Sequence, residues 1–171
     1  MHIDTERLYL RPMIMRDVDD LVALHADPEV SRYMRAFDRE EAVERLRRDE
    51  SDWREYGHGL FTLLASDDGR FLGRVGLKYW PQFDEAEVGW VLRREEWGRG
   101  YATEAARACA DWGFREFAYP YLTAMIRAEN ARSIRVAERL GMTPRRDDTL
   151  FEVPVVVHAV ERGMFNAGNA P

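Results

Sequence analysis

The residues best suited to chemistry lie in one run, EAEVGWVLRREEWGRGYATEAARACADWGF, from Glu85 to Phe114. Its first part alternates as a strand does, with Glu87, Gly89 and Val91 on one face and Val88, Trp90 and Leu92 on the other. Gly98, Arg99 and Gly100 then form a turn that opens directly into a helix. That order of elements suits an anion. Glycines let a ligand approach the main chain, and the first N–H groups of a helix lack internal acceptors and sit at the positive end of its dipole. Two common phosphate loops are excluded. No Lys and Ser/Thr follow the second glycine as a Walker A loop requires, and Thr103 stands where a dinucleotide fingerprint has its third glycine or alanine. Taken alone, Gly98 to Gly100 is compatible with a phosphate cradle and equally with an ordinary tight turn.

Other reactive side chains are sparse. Cys109 is the only cysteine, inside the helical pattern, and reads as a buried packing residue with no partner for a disulfide and no Cys/His cluster for zinc. No metal site is expected, since His2, His25 and His58 show no ligand spacing. His158 falls near the end of the last strand, where it either touches a cleft or is a satisfied core histidine. Asn130 and Ser133 have the types and spacing of helix-capping residues. Tyr79, Trp80 and Pro81 mark the end of a hairpin.

The elements that position these residues are legible from periodicity. Arg7 to Arg11 alternates as a strand closed by Pro12, and a helix follows that Asp17 can cap, ending before Asp27 and Pro28. Asp38 to Tyr56 reads as a surface helix packed by a narrow apolar face, its charges being the solvated side. Gly59 to Ala65 and Phe71 to Tyr79 are strands joined by a Ser66 to Gly69 turn, and Glu85 to Leu92 is a third. Ala102 to Phe117 is a helix, Tyr121 to Arg127 a strand, Ala131 to Leu140 a helix ended by Gly141, and Leu150 to Glu161 a final strand. Pro154 makes the start of that strand an edge or a bulge. Strands, hairpins and helices alternate as in a mixed α/β domain.

At 171 residues, 46% hydrophobic and 33% charged, the chain suits one globular domain, 1–171, with a loose tail at about 166–171. No apolar run is long enough to span a membrane and the opening lacks a secretion signal, so a cytoplasmic protein with no membrane partner is expected. A formal charge of −6 argues against broad nucleic-acid binding. Lys78 is the only lysine among 25 basic residues, which reads as coding bias.

Four ordered motifs, TERLYLRP (Thr5 to Pro12), EVGWVL (Glu87 to Leu92), WGRGYATEA (Trp97 to Ala105) and AENARSIRVAERLGM (Ala128 to Met142), resemble the GNAT superfamily of acetyl-CoA-dependent N-acetyltransferases. The similarity runs from about Thr5 to Phe165 and is to the branch of ribosomal-protein N-terminal alanine acetyltransferases. It implies an α/β fold of the α+β type: a mixed, mostly antiparallel sheet flanked by helices, with acetyl-CoA entering where the fourth and fifth strands splay. The family's pyrophosphate-binding pattern falls on Trp97, Gly98, Arg99, Gly100, Tyr101 and Ala102, with Thr103 next in the helix. Trp97 replaces the usual Gln/Arg, which main-chain binding tolerates. The resemblance also implies that the pantetheine arm follows Val91 and Leu92, one of whose amides polarises the thioester carbonyl. Glu87 matches an acid often found in the branch and is the candidate general base; pairing with a sheet arginine or with the acceptor's ammonium is the competing role. A Tyr of the fourth helix that often serves as general acid is replaced by Ala137. Asn130 and Ser133 match the branch's N-x-x-S, Asn130 to hold the cofactor arm and Ser133 to hydrogen-bond the leaving sulfur. The expected activity is direct acetyl transfer to a primary amine, on a protein N-terminus or a small molecule, with a homodimer admitted. A non-catalytic acyl-CoA sensor is the alternative, and a nucleotide-binding domain a third reading.

Overall fold

The computed structural model describes residues 1–166, and these build an eight-stranded sheet with four α-helices on its faces. In chain order they are β1 (Ile3–Asp4), β2 (Leu8–Pro12), α1 (Val18–Ala26), α2 (Arg39–Tyr56), β3 (Leu60–Ala65), β4 (Phe71–Trp80), β5 (Glu85–Leu92), α3 (Tyr101–Glu116), β6 (Tyr121–Ile126), α4 (Ala131–Arg139), β7 (Thr143–Leu150) and β8 (Val153–Glu161). The strand order is β1-β2-β3-β4-β5-β6-β8-β7, and β5 with β6 is the parallel pair in an otherwise antiparallel sheet. The α+β expectation holds. Because the two-residue β1 precedes the first strand read from sequence, the expected fourth and fifth strands are β5 and β6.

Strand alternation sends side chains to two separate cores. Phe61, Leu63, Val75, Leu77 and Val88 pack with Ala105, Ala106 and Cys109 of α3 and with Ala137 of α4. On the opposite face Leu60 and Val91 pack with Leu21 and Leu24 of α1 and Ala42 and Leu46 of α2. Each fully buried Leu or Phe contributes about 1.5–3 kcal/mol, so both helical layers are held firmly to the sheet. One consequence is positional: α3 begins just past the end of β5, and α1 and α2 roof the other face.

Two sequence expectations are corrected. The final strand expected over Leu150 to Glu161 is observed as β8, starting later at Val153, but it is the second arm of an unexpected hairpin with β7, turning at Phe151 and Glu152 with φ of 49° and 63°. β7 is an edge strand of sequence TPRRDDTL whose side chains are largely exposed, so it lacks the apolar alternation that marks a strand. Pro154 does meet the edge expectation locally, because pairing of β8 with β6 begins only at Val156. Asp17 precedes α1 without capping it. Its carboxylate turns back to Arg11, to the Ile14 amide at 3.0 Å and to the Thr62 hydroxyl at 2.8 Å. The expected loose tail lies outside the described residues except Asn166, whose carbonyl accepts from Arg107 Nη1 at 2.9 Å. No helix among the described residues is long and apolar enough to cross a membrane.

Candidate functional site

The glycine turn is built as an amide cradle. Gly98 and Gly100 have φ of 75° and 83°, values that favour glycine, and the first bond of α3 is from the Glu104 amide to the Gly100 carbonyl at 3.1 Å. Among the described residues the amides of Gly98 to Thr103 donate to no protein acceptor. Side chains hold the turn from outside. Arg7 Nη1 donates to the Arg99 carbonyl at 3.0 Å, its guanidinium pairs with Glu104, and it lies 4.6 Å over the Tyr101 ring. Trp97 Nε1 donates to the Leu92 carbonyl at 2.9 Å, which ties the turn to the end of β5, and Arg132 lies 4.3 Å over the indole. Arg99 itself pairs with Glu96 at 2.8 Å, so its contribution to the cradle is main-chain. A row of orphaned amides with arginines at its rim fits the diphosphate of a nucleotide-containing ligand.

Beside the cradle the sheet opens. β5 and β6 share one register pair, Glu87 with Thr123, and diverge toward Leu92 and Ile126. The Arg93 amide bonds the Leu72 carbonyl at 2.8 Å, which sets the phase of the β4–β5 ladder. Val91 therefore turns its backbone to β4, and Trp90 and Leu92 turn theirs to the gap. At the gap's apex Glu87 acts as a clasp. Its carboxylate accepts from the Met125 amide at 3.1 Å and from Trp80 Nε1 at 2.7 Å. Burial pushes its pKa above the ordinary carboxylate value, and these two donors only partly oppose the shift.

The sheet face under α1 and α2 is more highly charged than the sequence suggests. Arg74, Gly76, Lys78 and Trp80 of β4 lie across from Val91, Gly89, Glu87 and Glu85 of β5. Lys78 Nζ sits 3.6 Å from the Trp80 ring, and Glu85 is held by Arg146 at 2.7 Å and by the Tyr121 hydroxyl at 3.1 Å. From the helices come His25 and Asp49, both buried. Asp49 corrects the reading of α2's charges as solvated; it faces inward, 3.8 Å from Arg45, and burial raises its pKa. Burial and then the Arg74 charge push His25 down to about 3, so it is neutral, with Nε2 facing Arg74 Nε at 3.4 Å. Arg74, His25 and Asp49 were not singled out by sequence. The available signal was an arginine inside an otherwise apolar strand, FLGRVGL.

On the other side of the gap, Asn130 is the N-cap of α4. Its Oδ1 accepts from the Ser133 amide at 3.2 Å, as capping predicts. Neither the Asn130 amide nitrogen nor the Ser133 hydroxyl has a protein partner among the described residues. Ala137 is fully buried in the core. His158 is buried, pairs with Ala124 and shares the α3 and α4 face with it, away from Glu87, its Nδ1 facing the Val156 carbonyl at 3.2 Å. Cys109 is fully enclosed, and burial pushes its thiol far above the range in which thiolate forms.

Comparison with known proteins agrees with this geometry. Residues 7–143 match the model of the acetyltransferase (GNAT) domain family. The chain is 36% identical over 168 residues to YkkB of Bacillus subtilis (strain 168), covering 95% of each. It superposes on an acetyltransferase from Agrobacterium tumefaciens str. C58 with a TM-score of 0.85 and 31% identity, covering 94% of each chain. Its fold is shared, at 16% identity and a TM-score of 0.81 over 94% of this chain and 98% of the other, with RimL, a ribosomal-protein α-N-acetyltransferase solved in complex with coenzyme A. The chain belongs to the GNAT acetyltransferase family and is an acetyltransferase. That family uses acetyl-CoA as donor.

Proposed function

We propose that the protein moves the acetyl group of acetyl-CoA to a primary amine by direct attack in a ternary complex. The observation that carries this reading is the row of orphaned amides from Gly98 to Thr103, set where β5 parts from β6. Those amides hold the pyrophosphate, with Gly98, Arg99, Gly100, Tyr101, Ala102 and Thr103 contributing main-chain groups. The pantetheine arm lies along Val91 and Leu92. Of those two amides, Leu92's is the one turned to the gap and is assigned to polarise the thioester carbonyl.

Bound acetyl-CoA supplies an activated acyl carbon. The acceptor nitrogen attacks that carbon, a C–N bond forms, the C–S bond breaks, and coenzyme A leaves as a thiol after gaining a proton. Glu87, clasped at the apex of the gap with a raised pKa, takes the proton that the amine sheds, directly or through a water. The Asn130 amide nitrogen holds the arm and the Ser133 hydroxyl donates to the departing sulfur, roles supported by their lack of any other partner.

Calorimetric titration with acetyl-CoA beside ATP tests the cofactor assignment, and Gly100→Asp tests the mapping. The aspartate adds a negative charge at the cradle, in a backbone conformation of φ 83° that it tolerates poorly. Acetyl-CoA affinity should fall by about tenfold or more, from lost charge complementarity of order 1–2 kcal/mol. Unchanged affinity in a folded variant would mean that the diphosphate binds elsewhere.

A further inference from the structure

Between the Arg74–Val91 and Lys78–Glu87 pairs of β4 and β5 stands the Gly76–Gly89 pair; the Gly59–Leu60 backbone closes over Gly76, 2.4 Å from where a Cβ would lie, and leaves Gly89 as the bare position under α1 and α2. A Cβ built on Gly89 meets no atom within 4 Å. At about 3.3 Å per residue, roughly 13 Å of β5 from Val91, across from Arg74, to Glu87 flanks this opening, enough for a small molecule. One end carries the facing pair Glu87 and Lys78, the other a lone cation. Glu87 stands at the end by the apex of the gap. At the other end is Arg74, only 8% exposed.

Arg74 lacks the partner that such burial demands. Its Nε faces a neutral His25 at 3.4 Å, and no carboxylate lies within ion-pair distance of it among the described residues. Asp49, which faces the same region, is 3.8 Å from Arg45 instead. The two Nη groups of Arg74 have no protein partner, yet they are not among the sealed polar atoms, so they reach open space. A buried guanidinium without an anion is costly, and its planar fork matches a carboxylate through two parallel hydrogen bonds. On the surface, the Tyr33 hydroxyl donates to the Glu129 carbonyl at 3.1 Å and ties the segment between α1 and α2 to the loop after β6.

Building on the acetyl-transfer reading, we infer that Arg74 is the anion-recognition residue of the acceptor site. The acceptor is then a small zwitterionic amine, an amino acid or amino-acid derivative, with its carboxylate on Arg74 and its amino group toward Glu87 and the gap. An amine without an acidic group leaves the guanidinium unpaired on binding. A long peptide separates its N-terminus from its terminal carboxylate by more than the reach from Glu87 to Arg74.

The test is thiol release from acetyl-CoA by the full chain with glycine, serine, methionine and glutamate, each beside its α-amide, and with an alanine-initiated tetrapeptide. The acid of the best pair should exceed its amide by about tenfold or more in kcat/KM, mainly through KM, as expected when a site's buried donor loses its partner. Arg74→Met should bring the two within about twofold of each other while leaving acetyl-CoA affinity intact, and Arg74→Lys should lie between. Should Arg74→Met fail to fold, Gly89→Val reads the same hollow. It should raise KM for the preferred acid about tenfold at unchanged acetyl-CoA affinity, because the added methyls occupy acceptor space. Equal use of acid and amide, preference for the tetrapeptide, or retained discrimination in Arg74→Met would each overturn the assignment while leaving acetyl transfer standing. Thiol release by none of the amines, despite acetyl-CoA binding, would remove the transfer reading and the assignment together.

Discussion

Glu87 holds the two diverging strands and, in the proposed mechanism, also takes the acceptor's proton. Both oxygens are engaged, by Trp80 Nε1 and the Met125 amide, which fixes the carboxylate's orientation and leaves lone pairs for a third donor. A carboxylate accepts a proton only when ionised. Wild-type kcat should therefore rise as pH climbs through a pKa that burial has lifted above the ordinary 4.5. Glu87→Gln should lower kcat by about 10²–10⁴ and abolish that acidic limb, with acetyl-CoA affinity little changed. An intact pH profile in the glutamine variant would reduce Glu87 to the clasp alone. The sequence pointed to this residue through its strand face and its family motif, whereas the donors that hold it come from β4 and β6. No local pattern announces contacts of that range.

Among the elements, the amphipathic helices and apolar strands were legible because one buried face imposes a period. β5 is observed over Glu85–Leu92, as read. β7 was not legible, since its eight residues lie at the sheet edge and owe their extension to pairing with β8 rather than to burial. Asp17 shows the same limit. Its type suited a cap for α1, but tertiary donors outcompete the local one. Burial works to raise its pKa, and the hydrogen bonds from Arg11, the Ile14 amide and Thr62 outweigh that and hold it below 3.8. A depressed carboxylate pKa stabilises the fold above the unfolded-state value, and the contribution is lost as pH falls through the folded-state value. Asp17→Asn should thus cost about 1–3 kcal/mol at pH 7, where it leaves Arg11 without its counter-charge. The cost should shrink in urea melts at a pH below the folded-state pKa, where the wild-type aspartate is itself protonated. An equal deficit at both pH values would rule out the charge as its cause.

For the whole molecule, two helical layers on opposite faces divide the labour. The α3 and α4 side presents the amide cradle, and the α1 and α2 side presents Arg74, Lys78 and Glu87. The glycine turn was legible in sequence as a turn or a cradle, and the family motif favoured the cradle. The charged cluster on the other face was not, because Arg74, His25 and Asp49 come together only when α1 and α2 close over β4. On the proposed reading acetyl-CoA binds only the folded chain, so saturation at 100-fold its Kd should raise unfolding free energy by about 2.7 kcal/mol, read as a higher Tm. Gly100→Asp should lose most of that rise at the same ligand concentration, separating a binding defect from a folding one.

The single lysine has a bearing beyond recognition. Lys78 is half-buried against the Trp80 ring, and the other basic side chains are arginines, whose guanidinium stays protonated and does not attack thioesters at neutral pH. Side-chain primary amines are accordingly confined to Lys78, and the exposed His2 imidazole gives only a hydrolysable acetyl adduct. On the proposed reading, the protein thus offers its own acyl donor hardly any lasting amine target. In intact-mass spectra a stable acetyl group added to a side-chain amine would have one candidate position, Lys78, and a single peptide map would locate it.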